Sequence, residues 1–251
     1  MDHSVNRVAQ KRAIPVIIGV ILTVAIAASK MDSTREIVAK SSRVAVIVNN
    51  DPSERHQANV EAAIDALRPF HFEEIIAFGR ENAVPTLAEI VSQLEAIQKE
   101  RKILEVFYLT GHGGIMINKT NSSGIPAVML KDRPLHADHL ITLLGKGPCL
   151  IYLDQCFAPT FIENLEGQMR GDFLILSDKD GSHSQTSCRG ISVHFWRRVK
   201  EMASERNLFA AAEQAWKETS VHGTSRRIGQ PMSETKNIVE NTPMQLASGR
   251  R

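Results

Sequence analysis

A histidine and a cysteine each follow an apolar run that predicts a buried strand. Residues 103–110 lead into Gly-His112-Gly-Gly, and residues 149–154 lead into Gln-Cys156. A thiol attacks a carbonyl carbon well only as its thiolate, so a nucleophilic cysteine needs a neighbouring base or cation. Histidine is the side chain that most often acts as this base. The pattern therefore indicates Cys156 as a candidate nucleophile and His112 as its candidate base.

The expected place of these two residues in the fold would bring them together. In an open α/β sheet, ligands and reactive groups collect beyond the carboxyl ends of the parallel strands. His112 and Cys156 at the ends of neighbouring strands would thus face each other across one crevice. A glycine after the histidine lets the backbone approach a ligand closely. The backbone amides of Gly113 and Cys156 are accordingly the candidate oxyanion donors.

Strands and helices alternate through the central part of the chain. Continuous apolar runs are typical of parallel strands that are buried on both faces. They predict strands at 43–48, 73–78, 103–110, 149–154 and 172–177. Apolar residues at helical spacing predict helices at 58–67, 86–97, 136–144, 191–203 and 208–219. The alternation predicts an α/β fold with a mostly parallel sheet and helices on both faces.

Two stretches carry no such pattern. A polar run through 118–124 predicts an irregular excursion, and the residues after His222 predict an irregular polar tail.

Composition narrows the classes of function. The chain has 251 residues, of which 43% are hydrophobic, so it can bury a sizeable core. Its net charge is +2 and its basic residues are scattered, which disfavours nucleic acid as a partner. Cys149, Cys156 and Cys188 lack the spacing of a zinc site or a disulfide scaffold, and we expect neither metal nor cofactor. A Cys149–Cys188 bridge is not expected, because the two cysteines should lie at opposite edges of the sheet.

The amino-terminal residues predict a membrane or targeting segment. Residues 13–29 are uncharged and apolar, which is near the lower length limit for a membrane span. Basic residues in 1–12 predict that this leader stays in the cytoplasm while the remainder of the chain is exported. A cleaved signal peptide is the alternative, because Ala25-Ile26-Ala27 is a small-x-small site.

The domain organisation and the localisation follow from this segment. The boundaries that we predict are a polar tether at 30–42, one domain at 43–230 and a polar tail at 231–251. The domain is expected outside the cytoplasm. It would be membrane-anchored if the segment is kept, and secreted or periplasmic if the segment is cleaved.

The two motifs resemble the signatures of the caspase-fold (clan CD) cysteine peptidases. Tyr-Leu-Thr-Gly-His112-Gly-Gly is most similar to the legumain branch, which includes the catalytic subunit of the GPI transamidase. Asp154-Gln-Cys156 is similar to the Asp-x-Cys of metacaspases and paracaspases. The resemblance covers roughly residues 43–230. It implies a caspase-like three-layer sandwich in which His112 and Cys156 are the catalytic dyad.

The same resemblance implies two substrate-binding residues. In this clan, an acidic residue two positions before the cysteine lines the pocket of enzymes that cleave after arginine or lysine. Asp154 would take this role and bind a basic P1 side chain through a charge-assisted hydrogen bond. The alternative is that Asp154 caps the helix that follows its strand. Ser177 would line the pocket from the end of the next strand.

The predicted function is that of a cysteine endopeptidase acting on protein or peptide substrates, after basic P1 residues. One alternative is a transamidase or ligase, in which an amine rather than water resolves the thioester. The other is a catalytically silent caspase-fold module that binds partners at the membrane. Phe157-Ala158-Pro159 favours the silent module, because the family usually carries small or polar residues directly after the cysteine.

Overall fold

The computed structural model describes most of the predicted domain. The described ranges are 42–80, 83–118, 121–145, 147–177, 191–219 and 225–229, with the backbone alone at 118 and 121–123. The predicted leader, the membrane segment, Cys188 and the tail at 231–251 lie outside these ranges. Within them, no helix combines the length and the apolar character that crossing a membrane requires.

In the described part of the chain, six strands form the central sheet, in the spatial order β2-β1-β3-β7-β8-β9. These strands are β1 (Arg43–Asn49), β2 (Glu74–Phe78), β3 (Ile103–Thr110), β7 (Cys149–Asp154), β8 (Phe173–Ser177) and β9 (Ser225–Ile228). The first five in this order run parallel, and β9 runs antiparallel to β8. The strands that precede His112 and Cys156 are therefore neighbours in the sheet.

Among the residues that the structure describes, three helices cover each face of this sheet. The helices are α1 (Glu54–Leu67), α2 (Leu87–Lys99), α3 (Ala137–Leu143), α4 (Ala158–Glu166), α5 (Ile191–Glu201) and α6 (Leu208–Thr219). Successive side chains of a strand point to opposite faces. One set packs with α2, α3 and α4, and the other set packs with α1, α5 and α6. The predicted fold class, a three-layer α/β sandwich with a mostly parallel sheet and helices on both faces, is confirmed.

An aromatic cluster supports the two strands that lead to the candidate dyad. Tyr108 of β3 and Tyr152 of β7 are register partners, and their rings stack with centroids 5.2 Å apart. Trp196 of α5 meets Tyr108 edge-on at 5.2 Å and is fully buried. Such pairs contribute about 0.5–1.5 kcal/mol beyond the burial of their area. They favour a fixed position of β3 relative to β7.

A second, smaller sheet replaces the irregular excursion that was predicted after His112. Its strands are β4 (Gly113–Asn118), β5 (Asn121–Met129) and β6 (Pro134–His136), all antiparallel. The prediction through 118–124 was wrong, because this polar run holds the connection and the first part of β5. The alternation that marks a half-buried strand is missing here, since apolar side chains are exposed on this hairpin.

The prediction of an irregular tail after His222 was also wrong in part, because β9 pairs with β8 along Phe173–Leu176. The strand is short and carries Arg226 and Arg227, so no apolar pattern marks it. Arg227 instead forms an ion pair with Glu213 of α6. Backbone pairing, this ion pair and the partly buried Ile228, which packs against the core, hold the edge strand.

Candidate functional site

The structure places the His112 and Cys156 segments against each other at the carboxyl edge of the sheet. Thr110 of β3 and Asp154 of β7 are register partners, and each lies two residues before its candidate catalytic residue. A Cβ added at Gly113 would lie 2.1 Å from the carbonyl oxygen of Cys156. Only glycine permits so close an approach. The Cys156 side chain is half-buried and the His112 side chain is 75% exposed, so the pair is accessible to a substrate.

Asp51 binds the imidazole of His112. The Nε2 atom of His112 lies 2.9 Å from Oδ2 of Asp51, whose side chain is 15% exposed. The other carboxylate oxygen accepts a hydrogen bond from the backbone N–H of Ser53 at 2.9 Å. Burial raises the pKa of Asp51, but the Ser53 hydrogen bonds and the positive potential of His56 and His112 outweigh it and lower that pKa overall. The carboxylate is thus ionised near neutral pH and suited to hold a histidine.

Asn50 fixes the backbone on which His112 sits. Its Oδ1 accepts from the His112 N–H at 2.8 Å, and its Nδ2 donates to the His112 carbonyl at 2.8 Å. The same Nδ2 donates to the carbonyl of Met129 at 2.9 Å. Gly111 has φ +126, and a Cβ there would lie 1.8 Å from Asn50 Oδ1. The absence of a side chain at Gly111 therefore leaves room for the Asn50 amide to make both hydrogen bonds to His112.

A buried polar network connects Asp154 with Asp51. Asp154 Oδ2 accepts from Thr110 Oγ1 at 2.9 Å and from Asn59 Nδ2 at 3.0 Å. The Nδ1 atom of His56 lies 3.0 Å from Thr110 Oγ1. Because the threonine hydroxyl has one proton and gives it to Asp154, the Nδ1–H of His56 must donate to this oxygen. The Nε2 atom of His56 lies 3.5 Å from Asp51 Oδ2, a contact that is attractive when both ring nitrogens of His56 carry protons, and Asp51 in turn binds His112.

The structure places Asp154 beneath the site and not at the start of the next helix. Its residue exposure is 3%, and Tyr108 OH is a further donor to Oδ2, at 3.4 Å. The N-cap position of α4 is occupied by Phe157. The pocket role of Asp154 stays a prediction, and a P1 side chain would have to reach into this network to contact it.

Ser177 ends β8 at the same edge of the sheet. It is fully buried and is the register partner of Leu153, which places it one strand beyond the Cys156 segment. Its carbonyl accepts a hydrogen bond from Trp216 Nε1 at 2.6 Å. Residues 178–190, which follow Ser177, lie outside the described residues.

Phe157 has an unusual backbone conformation directly after the candidate nucleophile. Its φ is +61 and its ψ is +18, the left-handed region that favours glycine. A bulky residue in this region stores strain, which often accompanies a functional site. The departure that the sequence shows at Phe157-Ala158-Pro159 is thus also a departure in backbone geometry.

The two described cysteines differ in environment. Cys149 is fully buried and unpaired, as expected of a cysteine that packs as a small apolar residue. Burial and, to a lesser degree, the charge of Glu105 raise the pKa of the Cys149 thiol. Cys156 is the more accessible of the two. Among the residues that the structure describes, no cluster of three or more His, Cys, Asp or Glu side chains could hold a metal ion.

Four site residues escaped the sequence analysis: Asn50, Asp51, His56 and Asn59. The edge rule that singled out the ends of β3 and β7 applies equally to β1, which lies beside β3. The run Asn49-Asn50-Asp51-Pro52 at the end of β1 has the composition of a turn, which hides this role. His56 and Asn59 were detectable as buried polar residues on the apolar stripe of α1.

Comparisons with known proteins concern the fold alone. No family model and no curated protein matches the chain. Among solved structures, the chain is similar to the initiator caspase Dronc of Drosophila, with 9% identity over 76% of this chain and 80% of that chain and a TM-score of 0.46. At this identity and score, the similarity supports no statement about activity, substrate or branch. The resemblance to the legumain branch stays a prediction.

Proposed function

We propose that this chain is a cysteine endopeptidase that uses Cys156 as nucleophile and His112 as general base and acid. The observation that carries the proposal is the 2.9 Å contact between His112 Nε2 and Asp51 Oδ2. A carboxylate at one imidazole nitrogen holds the ring in a fixed tautomer and orientation. Such a fixed ring suits a general base, because the second imidazole nitrogen is then left to accept a proton.

The chemistry follows from this tautomer. With the Nε2–H donated to Asp51, the free Nδ1 of His112 takes the proton of the Cys156 thiol. The thiolate attacks the peptide carbonyl carbon, and the backbone amides of Gly113 and Cys156 stabilise the oxyanion. His112 then gives its proton to the leaving amine as the C–N bond breaks. Water hydrolyses the thioester and regenerates the thiol.

A substrate with a basic P1 side chain fits the charges at this edge of the sheet. Asp51 is ionised and partly exposed, and Asp154 lies below it within the same polar network. A guanidinium or ammonium group entering from the surface would meet the Asp51 carboxylate first. Charge-assisted hydrogen bonds to such groups are of the strong class.

The experiment that tests this proposal is cleavage of peptides with Arg, Lys, Asn or Asp at P1 by the full chain. The expected result is turnover with Arg or Lys, and its loss in Cys156→Ala and in His112→Ala. An added amine nucleophile distinguishes the transamidase alternative, because an amide product would replace part of the hydrolysis product. Turnover that survives in either variant would refute the dyad.

The second candidate function is a silent binding module, and the sequence Phe157-Ala158-Pro159 directly after Cys156 favours it. The expected observations in that case are an absence of turnover and a Cys156 that reacts with iodoacetamide no faster than a free cysteine. Activity-independent labelling of Cys156 therefore separates the two functions even before a substrate is known.

We also propose that the chain is attached to a membrane through residues 13–29, with the domain on the side opposite the cytoplasm. Mass spectrometry of the amino terminus in membrane and soluble fractions tests this. An intact terminus in the membrane fraction is expected. A terminus at residue 28, directly after Ala27, would indicate a cleaved signal peptide instead.

A further inference from the structure

Exposed apolar side chains gather on the β4–β5 hairpin. The large hydrophobic residues that are exposed in the described part of the chain are Ile115 (40%), Met116 (42%), Ile117 (79%), Ile125 (40%) and Met129 (51%). All of them belong to this hairpin. Several large apolar side chains exposed on one hairpin of a folded protein are typical of an interaction site.

The hairpin also offers a free strand edge. Within the described residues, β4 pairs with β5 on one side and is the outer strand of its sheet. The outward backbone N–H and C=O groups of an edge strand can pair with a further extended chain. Peptides are commonly bound in this way, with the backbone supplying affinity and alternate side chains supplying specificity.

The position of this edge relative to the candidate dyad indicates what binds there. β4 begins at Gly113, whose Cα lies against the Cys156 carbonyl. His112 directly precedes it and gives its proton to the leaving amine, so the histidine lies on the leaving-group side of the scissile bond. Because β4 is extended and starts beside the Cys156 carbonyl, its later residues lie progressively farther from the cysteine. The hairpin is thus on the path of the residues that follow the scissile bond.

We propose that the outer edge of β4 binds the leaving part of the substrate as an extended strand and selects apolar side chains there. This inference rests on the proposed function and adds the class of sequence that the site prefers. Side chains of an added strand would alternate between two faces. On one face lies Ile115, and on the other lies Met116 beside its cross-strand partner Ile125.

The first test measures binding without turnover. The full chain with Cys156→Ala is titrated with fluorescent peptides that share an Arg at P1 and carry either Leu-Val-Leu or Ser-Lys-Ser after the scissile bond. Burial of the Leu and Val side chains against the hairpin predicts at least about tenfold tighter binding of the first peptide. Ile115→Lys and Ile117→Lys are each expected to reduce this ratio to near one.

The matched control adds the same charge elsewhere. Ser204 is exposed in the turn between α5 and α6, at the opposite edge of the sheet, and Ser204→Lys should leave the ratio unchanged. Equal binding of the two peptides, or a ratio that persists in both Ile variants, would overturn the inference. A change of sedimentation with protein concentration that Ile117→Lys abolishes, without an effect on peptides, would assign the surface to a second copy and overturn it as well.

The failure of the inference is distinguishable from that of the proposed function. Wild-type turnover that is indifferent to the residues after the scissile bond refutes the hairpin inference alone. Absence of turnover together with a retained binding ratio refutes the peptidase and supports the hairpin as a peptide-binding surface.

Discussion

Replacing Gly113 with alanine should push the His112 segment and the Cys156 segment of the candidate site apart. The added Cβ would lie 2.1 Å from the Cys156 carbonyl oxygen and 2.8 Å from Cγ of Gln155, whereas ordinary contact begins at 3.4 Å. The difference, 3.4 − 2.1 = 1.3 Å, is the distance by which backbone must move. Overpacking against backbone destabilises by about 1–3 kcal/mol. A misplacement of about 1 Å at a reacting centre reduces rates by roughly a hundredfold.

The neighbouring glycine supplies the control for this change. A Cβ at Gly114 would meet no atom within 4 Å, so Gly114→Ala should change the free energy of unfolding by less than about 1 kcal/mol. Urea denaturation measures the stability of both variants. Mass spectrometry of the Cys156 peptide after timed iodoacetamide treatment measures thiol reactivity without any substrate. If Gly113→Ala and Gly114→Ala behave alike in both assays, the close contact between the His112 and Cys156 segments is refuted.

Three further predictions concern the surroundings of this contact. Asp51→Asn should lower kcat by about a hundredfold or more. Because folding lowers the pKa of Asp51, the variant should be less stable than the wild type at pH 7, and this difference should shrink as the pH falls through the usual carboxyl range. A difference in stability that is unchanged at acid pH contradicts this. Phe157→Gly should be more stable in urea than Phe157→Ala by about 1 kcal/mol, because φ +61 strains alanine; equal stabilities would exclude strain. Burial and the charge of His136 lower the pKa of His139, whose Nδ1 accepts a hydrogen bond from the His136 backbone N–H. The free energy of unfolding should therefore fall as the pH drops below about 6.5. His139→Gln keeps an acceptor at this position and should make the stability less dependent on pH.

The elements that could be predicted from the sequence are those buried on both sides. β3 and β7 read as continuous apolar runs because helices cover both faces of the sheet. The β4–β5 hairpin and β9 escaped prediction for opposite reasons. The hairpin exposes apolar side chains, so it lacks alternation, and β9 carries arginines and is held by backbone pairing.

The candidate site divides in the same way. His112 and Cys156 were predictable because each follows an apolar strand and has side-chain chemistry of its own. Asp51 follows β1 in a polar run that resembles a turn, so its role becomes visible only once β1 is known to lie beside β3. His56 stands out as a buried polar residue on α1, but its partner Thr110 at the end of β3 is known only from the fold.

The network beneath the site gives a physical reason for these missed residues. A buried carboxylate such as Asp154 is costly unless it is hydrogen-bonded, and here Thr110 and Asn59 supply donors. Once Thr110 gives its proton to Asp154, its oxygen can only accept, which fixes the His56 ring with Nδ1–H inward and Nε2 toward Asp51. The residues that hold the buried charge therefore also set the surroundings of the carboxylate that orients His112. A basic P1 side chain that binds Asp154, as we propose, would act on the same hydrogen bonds that position the His56 ring.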